Sequence, residues 1–109
     1  LVVTVSPDPL TLVLPGFKAL ADPTRLQVVD LLRHQEMCVC DLCDRIQIAQ
    51  SKLSFHLKIL KEANLVHARQ QGRWIYYRLN LGQLSVLEQY LAELRHSPTP
   101  RPAHPCPPD

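Results

Sequence analysis

Three cysteines fall within six residues, Cys38, Cys40 and Cys43 in the stretch EMCVCDLCDR, while a fourth, Cys106, stands far away near the end of the 109-residue chain. Thiolates are soft ligands, suited to zinc, cadmium and copper(I) and to the thiophilic trivalent centres of arsenic and antimony. Cysteines this crowded do not satisfy the usual bridging geometry among themselves. In a reducing compartment the cluster therefore reads as a soft-metal or redox site. Structural zinc takes four ligands, and only three are local. Three thiolates suit a pyramidal three-coordinate centre, such as arsenite forms when sulfur replaces its oxygens.

The spacing constrains the backbone that must carry them. In one continuous helix Cys40 and Cys43 would stand about 60° apart, with Cys38 some 200° from Cys40. If residues 38 to 40 are extended instead, Cys38 and Cys40 project to one side and Cys43 approaches from a first helical turn. Asp41 is the expected cap of that helix, from Leu42 to about Gln47. A helix start lowers cysteine pKa values, which favours the ligating thiolate.

The elements that would position this junction follow from the rest of the chain. Pro7, Pro9 and Pro15 break up residues 1–15, an expected N-terminal arm, and a short helix covers about Gly16 to Ala21 or reaches back before Pro15. Asp22-Pro23 starts a second helix reaching about His34, with Leu26, Val28, Val29, Leu31 and Leu32 as a buried stripe. After the cysteine-bearing helix, IAQS turns into a longer helix from Ser51 to about Ala63. Short helix, tight turn and long helix make a helix-turn-helix, although the turn has no glycine. Two β-prone runs, Leu65 to Gln70 and Arg73 to Leu79, flank Gln71-Gly72 as a hairpin.

A last helix, from about Gly82 to Arg95, repeats Leu84, Leu87, Leu91 and Leu94 at the spacing of a coiled-coil seam. A domain this small buries little surface alone, so this stripe, with Phe17 and Leu20, is expected to meet a second copy. Residues 97–109 are proline-rich and read as a disordered or extended tail. The fold expected is mainly α with a small β-hairpin: a winged helix-turn-helix over residues 16–96, about five helices and a two-stranded wing, forming a homodimer.

A net charge of +2 is too mild to announce nucleic-acid binding, so position must carry that argument. Residues 51–73 hold Lys52, Lys58, Lys61, Arg69 and Arg73 against Glu62 alone, whereas residues 24–50 hold three arginines and four acids. On the helix from Ser51, the side chains of Ser51, Ser54, Lys58 and Lys61 fall within an arc of roughly 80°, beside the packing sector of Leu53, Leu57 and Leu60. Such a face suits the major groove, with Gln50 at the turn as a candidate for adenine and His56 for packing or a phosphate hydrogen bond. Phe55 and Ile59 fit neither face. Arg69, Gln71 and Arg73 surround a hairpin tip suited to phosphates or a minor groove. Trp74, Tyr76 and Tyr77 follow the tip, where packing and cross-strand pairing are expected.

Other classes fit poorly. No apolar run approaches the roughly 18 residues that span a bilayer, and LVVTV has neither basic flank nor cleavage site, so a cytoplasmic protein without membrane contact is expected. No C-x5-R loop begins at any cysteine and the three glycines form no anion-binding loop, which argues against a thiol-dependent enzyme.

The stretches FKALADPTRLQVVDLL, EMCVCDLC, IAQSKLSFHLKILKEANLV and QQGRWIYYRL together resemble the arsenic-responsive winged-helix repressors of the ArsR/SmtB family, over about Phe17 to Arg95. The resemblance implies that Cys38, Cys40 and Cys43 ligate As(III) or Sb(III) as inducer, with no organic cofactor. It also implies a homodimer on a palindromic double-stranded operator, released when the metalloid binds. Zinc-sensing relatives use Asp, His and Glu on the last helix, but residues 82–95 offer no histidine. Cadmium and lead sensors draw cysteines from an N-terminal extension, and residues 1–37 contain none. Some relatives place inducer cysteines near the C-terminus, which keeps Cys106 as an extra candidate. The alternative keeps the same DNA-binding head and makes the cysteines a redox switch or a zinc or cadmium sensor.

Overall fold

The computed structural model describes residues 8–108. The stretch LVVTV and Pro7, the beginning of the expected arm, lie outside the described residues.

Among the described residues, five helices and a three-stranded sheet follow in the order α1 (Pro9–Leu20), α2 (Pro23–Leu32), β1 (Met37–Cys38), α3 (Val39–Ile46), α4 (Gln50–Glu62), β2 (Val66–Gln71), β3 (Trp74–Leu79) and α5 (Leu81–Arg95). This is the winged helix-turn-helix expected from the sequence, with differences in detail. α1 takes the longer of the two expected courses and reaches back before Pro15, because Asp8 caps it by accepting from the Leu10 amide and Pro9 fits the first turn. Pro15 sits inside it without ending it.

α2 begins as expected, with the Asp22 carboxylate accepting from the Arg25 amide at 3.1 Å. It ends at Leu32 rather than His34. Val28 and Leu32 are buried and Val29 and Leu31 half-buried, but Leu26 is 50% exposed and leaves the expected stripe. α5 is capped by Asn80, which accepts from the Gln83 amide and donates to the Asn64 carbonyl, tying the end of the wing to the turn after α4.

The sheet order is β1-β3-β2, antiparallel throughout. The hairpin pairs Gln71 with Trp74 across the tip, where Gly72 has φ +61°, a conformation that suits a residue without Cβ. The third strand has only two residues, Met37 opposite Tyr77 and Cys38 opposite Tyr76. Sequence periodicity has no purchase on an element that short.

The core gathers Val28, Leu32 and Met37 with Leu42 of α3, Leu53, Leu57 and Leu60 of α4, and Leu65 and Val66 beyond it. α1 and α5 cross closely at Gly16, where an added Cβ would come within 2.9 Å of the Leu87 side chain. Leu87, 4% exposed, is thus used inside this chain, and Phe17 faces Tyr90 with ring centroids 6.0 Å apart. Leu91 and Leu94 remain 53% and 57% exposed. Leu91 borders an apolar trough with Leu20, Leu84 and Leu87.

Candidate thiol site and nucleic-acid interface

Cys38 closes β1 and serves as the N-cap position of α3, with extended backbone at φ −81°, ψ 163°. Its side chain makes no capping hydrogen bond, so α3 starts without side-chain help. The junction between extended approach and helix start is where the spacing suggested, but the helix begins earlier than expected. Val39 is its first residue, so Asp41 lies within the first turn rather than capping it. Cys40 is therefore helical and not part of an extended triplet.

The cysteines consequently divide. Cys40, exposed, and Cys43, half-buried, are three residues apart on successive turns of one helix face. Cys38 belongs to the strand. Among the described residues no group of three or more His, Cys, Asp or Glu side chains converges closely enough to hold a metal ion. Burial pushes the Cys43 thiol above its ordinary pKa, and Cys40 and Asp44 add to the shift. The helix start therefore does not lower this one. Cys106 is exposed on the segment after α5, without regular structure.

Two connections run from the thiols to the elements expected to read DNA. Cys40 lines a hollow of about 190 Å³ together with Val39, with Gln50 at the first turn of α4, and with Arg73, Trp74 and Ile75 of the wing. Two residues before Cys38, the Glu36 carboxylate accepts from Arg69 Nη2 at 2.6 Å and from Nε at 3.2 Å. The same guanidinium donates to Gln71 and lies over the Tyr76 ring, 4.7 Å from its centroid. This pairing holds the Glu36 carboxyl below its ordinary pKa and raises that of Arg69.

The α4 side chains named from the sequence are mostly free. Gln50, Ser51, Lys52, Ser54, Lys58 and Lys61 are exposed, with Gln50 inside the helix rather than in the turn before it. At the wing tip Arg73 is exposed beside Trp74. Arg69 is engaged with both Glu36 and Gln71, which braces the wing.

His56 turns inward. Its Nδ1 lies 3.1 Å from Arg25 Nη1 and 3.8 Å from Asp22 Oδ2. A guanidinium only donates, so in the shorter contact Nδ1 is the acceptor. Arg25 also donates to the carbonyls of Ala19 at 2.6 Å and Lys18 at 3.4 Å. Arg25 thereby ties α4 to the end of α1. Its partner lies 31 positions away, and nothing local in the sequence announces the pairing.

α3 ends on Gln47, whose φ of 60° is the left-handed position more often filled by glycine. The missing glycine of the turn is thus replaced by a side chain that makes its own restraint. The Gln47 amide donates to the Cys43 carbonyl at 2.8 Å and its Nε2 to the Asp44 carbonyl at 2.7 Å.

A short helix set against a longer one, a β-hairpin after them and helices on either side define a winged helix-turn-helix regulator. Residues 22–68 match the family model of bacterial regulatory proteins of the arsR family. The chain is 51% identical over 65 residues to the arsenical resistance operon repressor of Bacillus subtilis (strain 168), covering 59% of this chain and 62% of that one. It is 42% identical over 74 residues to the arsenical resistance operon repressor of Staphylococcus xylosus, covering 68% of this chain and 71% of that one. Among solved structures, an ArsR family transcriptional regulator superposes with a TM-score of 0.74 at 25% identity, over 84% of this chain and 93% of its own. The chain belongs to the ArsR family. Among the described residues no helix is long and apolar enough to cross a membrane.

Proposed function

We propose that this chain is a repressor that binds double-stranded operator DNA and is released when trivalent arsenic or antimony occupies Cys38, Cys40 and Cys43. The observation that carries the reading is the shared hollow in which Cys40 meets Gln50 of α4 and Arg73 and Trp74 of the wing. Whatever binds at Cys40 sits between the two elements best suited to DNA.

The chemistry balances without an outside reactant. Arsenous acid, As(OH)3, exchanges three As–O bonds for three As–S bonds; each thiol proton leaves with a hydroxide, and three waters depart. Cys40 and Cys43 already share a face of α3, so they form the first two bonds. The third needs Cys38, which must leave its place opposite Tyr76 or draw the first turn of α3 out of shape. Either movement disturbs β1 and, through Glu36 and Arg69, the wing. α3 supports α4, so the reading head shifts as well. The names of the arsenical relatives add support for the metalloid, and the exposed lysines of α4 for the DNA.

Pairing of two copies through α1 and α5 belongs to the same reading. Leu91 and Leu94, with the exposed Leu10 and Leu14 of α1, offer apolar surface that the described residues of one chain leave uncovered. A dimer would present two α4 helices to a palindromic site.

The test is titration of a protein–operator complex with arsenite, followed by fluorescence anisotropy of labelled DNA. Wild type is expected to dissociate, and Cys38→Ser, Cys40→Ser and Cys43→Ser to stay bound. Dissociation of the triple serine variant at the same arsenite concentration would overturn the ligand assignment.

A further inference from the structure

We propose that Phe55 reads the operator directly, by packing its ring against the 5-methyl group of a thymine in the major groove. The inference rests on the DNA-binding reading above and names a specificity residue within it.

Phe55 is 59% exposed. At 100° per residue it points about 200° away from Leu53, nearly opposite the sector of Leu53, Leu57 and Leu60 that packs into the core. It is therefore central to the outward face of α4, along one line with Ser51 and Glu62. Lys58 and Lys52 stand on either side of that line. Within α4 its ring meets the edge of the His56 ring, with centroids 5.4 Å apart and planes at 66°. Both rings border a wide hollow of about 630 Å³ that extends to Thr24, Gln27 and Ile48, and the Phe55 ring stays largely uncovered.

A large apolar ring at the centre of a polar, basic face needs an apolar partner surrounded by negative charge. A hydrophobic protein groove supplies the first and would strand the ammonium groups of Lys52 and Lys58. The major groove supplies both. Phosphates flank it, and the 5-methyl of thymine is the apolar group it displays among the base edges. Phe55 falls in the second turn of α4, within the N-terminal half by which recognition helices meet bases. Gln50 and Ser51, one turn earlier, are then left to hydrogen-bond neighbouring bases.

The experiment uses the full chain and a duplex recovered from a random pool by repeated rounds of binding. Each thymine of that duplex is replaced in turn by uracil, which removes only the methyl group, and Kd is measured by anisotropy. Wild type is expected to lose about three- to fivefold in affinity at one thymine in each half-site, the equivalent of one buried methyl-sized group. Phe55→Ala should bind the parent duplex correspondingly more weakly and be indifferent to uracil there, while Phe55→Leu keeps part of the discrimination. Uniform indifference of the wild type to uracil, or full methyl sensitivity in Phe55→Ala, would overturn the proposal. Failure to recover any duplex from the pool would sink the DNA-binding reading itself, and this proposal with it.

Discussion

α3 and α4 are consecutive helices, and neither has a side chain capping its N-terminus, yet they are held very differently. α4 has 13 residues and sinks Leu53, Leu57 and Leu60 into the core. α3 has eight residues and one fully buried side chain, Leu42, and it ends on a left-handed Gln47. Helices shorter than about 12 residues have little stability of their own, so α3 persists because its neighbours hold it. Under the proposed function this is a division of labour: the helix assigned to DNA is anchored, and the helix that carries Cys40 and Cys43 has little of its own holding it in shape.

The largest effect expected from this contrast is in the core. Leu53→Ala should lower the unfolding free energy by about 2–5 kcal/mol, as buried leucine truncations do. Ile46→Ala, on the half-buried side of α3, should cost roughly 1 kcal/mol. Urea denaturation of both variants measures the difference, and equal losses would break the contrast.

Next comes the strained end of α3. Gln47→Gly removes a left-handed penalty of about 1–2 kcal/mol and loosens the unfolded chain by about half as much. A small net gain, up to roughly 1 kcal/mol, should appear as a higher urea midpoint. A clear loss would mean that the bonds from Gln47 to Cys43 and Asp44 outweigh the strain.

A third effect tests the link between the thiol site and the wing. Because Arg69 holds the Glu36 carboxyl below its ordinary 4.5, their pairing stabilises the protein above that pH and is lost as pH falls through the lowered value. A carboxyl titration by NMR should place the Glu36 midpoint under 4.5 in wild type and return it toward 4.5 in Arg69→Ala. Faster amide exchange in β1 and the wing of Glu36→Gln, with α4 unchanged, would sharpen the comparison.

The smallest effect concerns Cys43. Since burial is the main cause of its raised pKa and Cys40 the second, Cys40→Ser should lower it only partly, leaving it above 9.0. Thiolate absorbance in a Cys38→Ser, Cys106→Ser background reads this. A value below 9.0 there would show that the helix start, rather than burial, governs the site.

Much of the fold was legible because long amphipathic elements announce themselves. Asp22-Pro23 marked the start of α2, and Leu53, Leu57 and Leu60 the packing face of α4. The wing showed in its aromatic and branched residues around Gly72. What escaped depended on distant partners. β1 is a strand only because β3 lies beside it, and Glu36 meets Arg69 from 33 positions away. Asp41 looked like a cap, yet pairing of Met37 and Cys38 brings the backbone into place for a helix start at Val39. Leu26 and Leu87 carried the right period and the wrong destination: α2 turns Leu26 outward, while Gly16 lets α1 cover Leu87 within the chain. The cysteine cluster was visible as a cluster, but the division of Cys38 from Cys40 and Cys43 was not, since it follows from where the helix begins.

The central claim is that metalloid binding remodels α3 and leaves the body of α4 intact. Residue-resolved amide hydrogen exchange, with and without arsenite, addresses it most directly. The account predicts faster exchange at residues 39–43 and in the strand pairing of β1 on arsenite addition, with the amides of Leu53 to Leu60 protected as before. Unchanged exchange throughout α3 in protein that has nonetheless released its DNA, or loss of protection centred on α4, would contradict it.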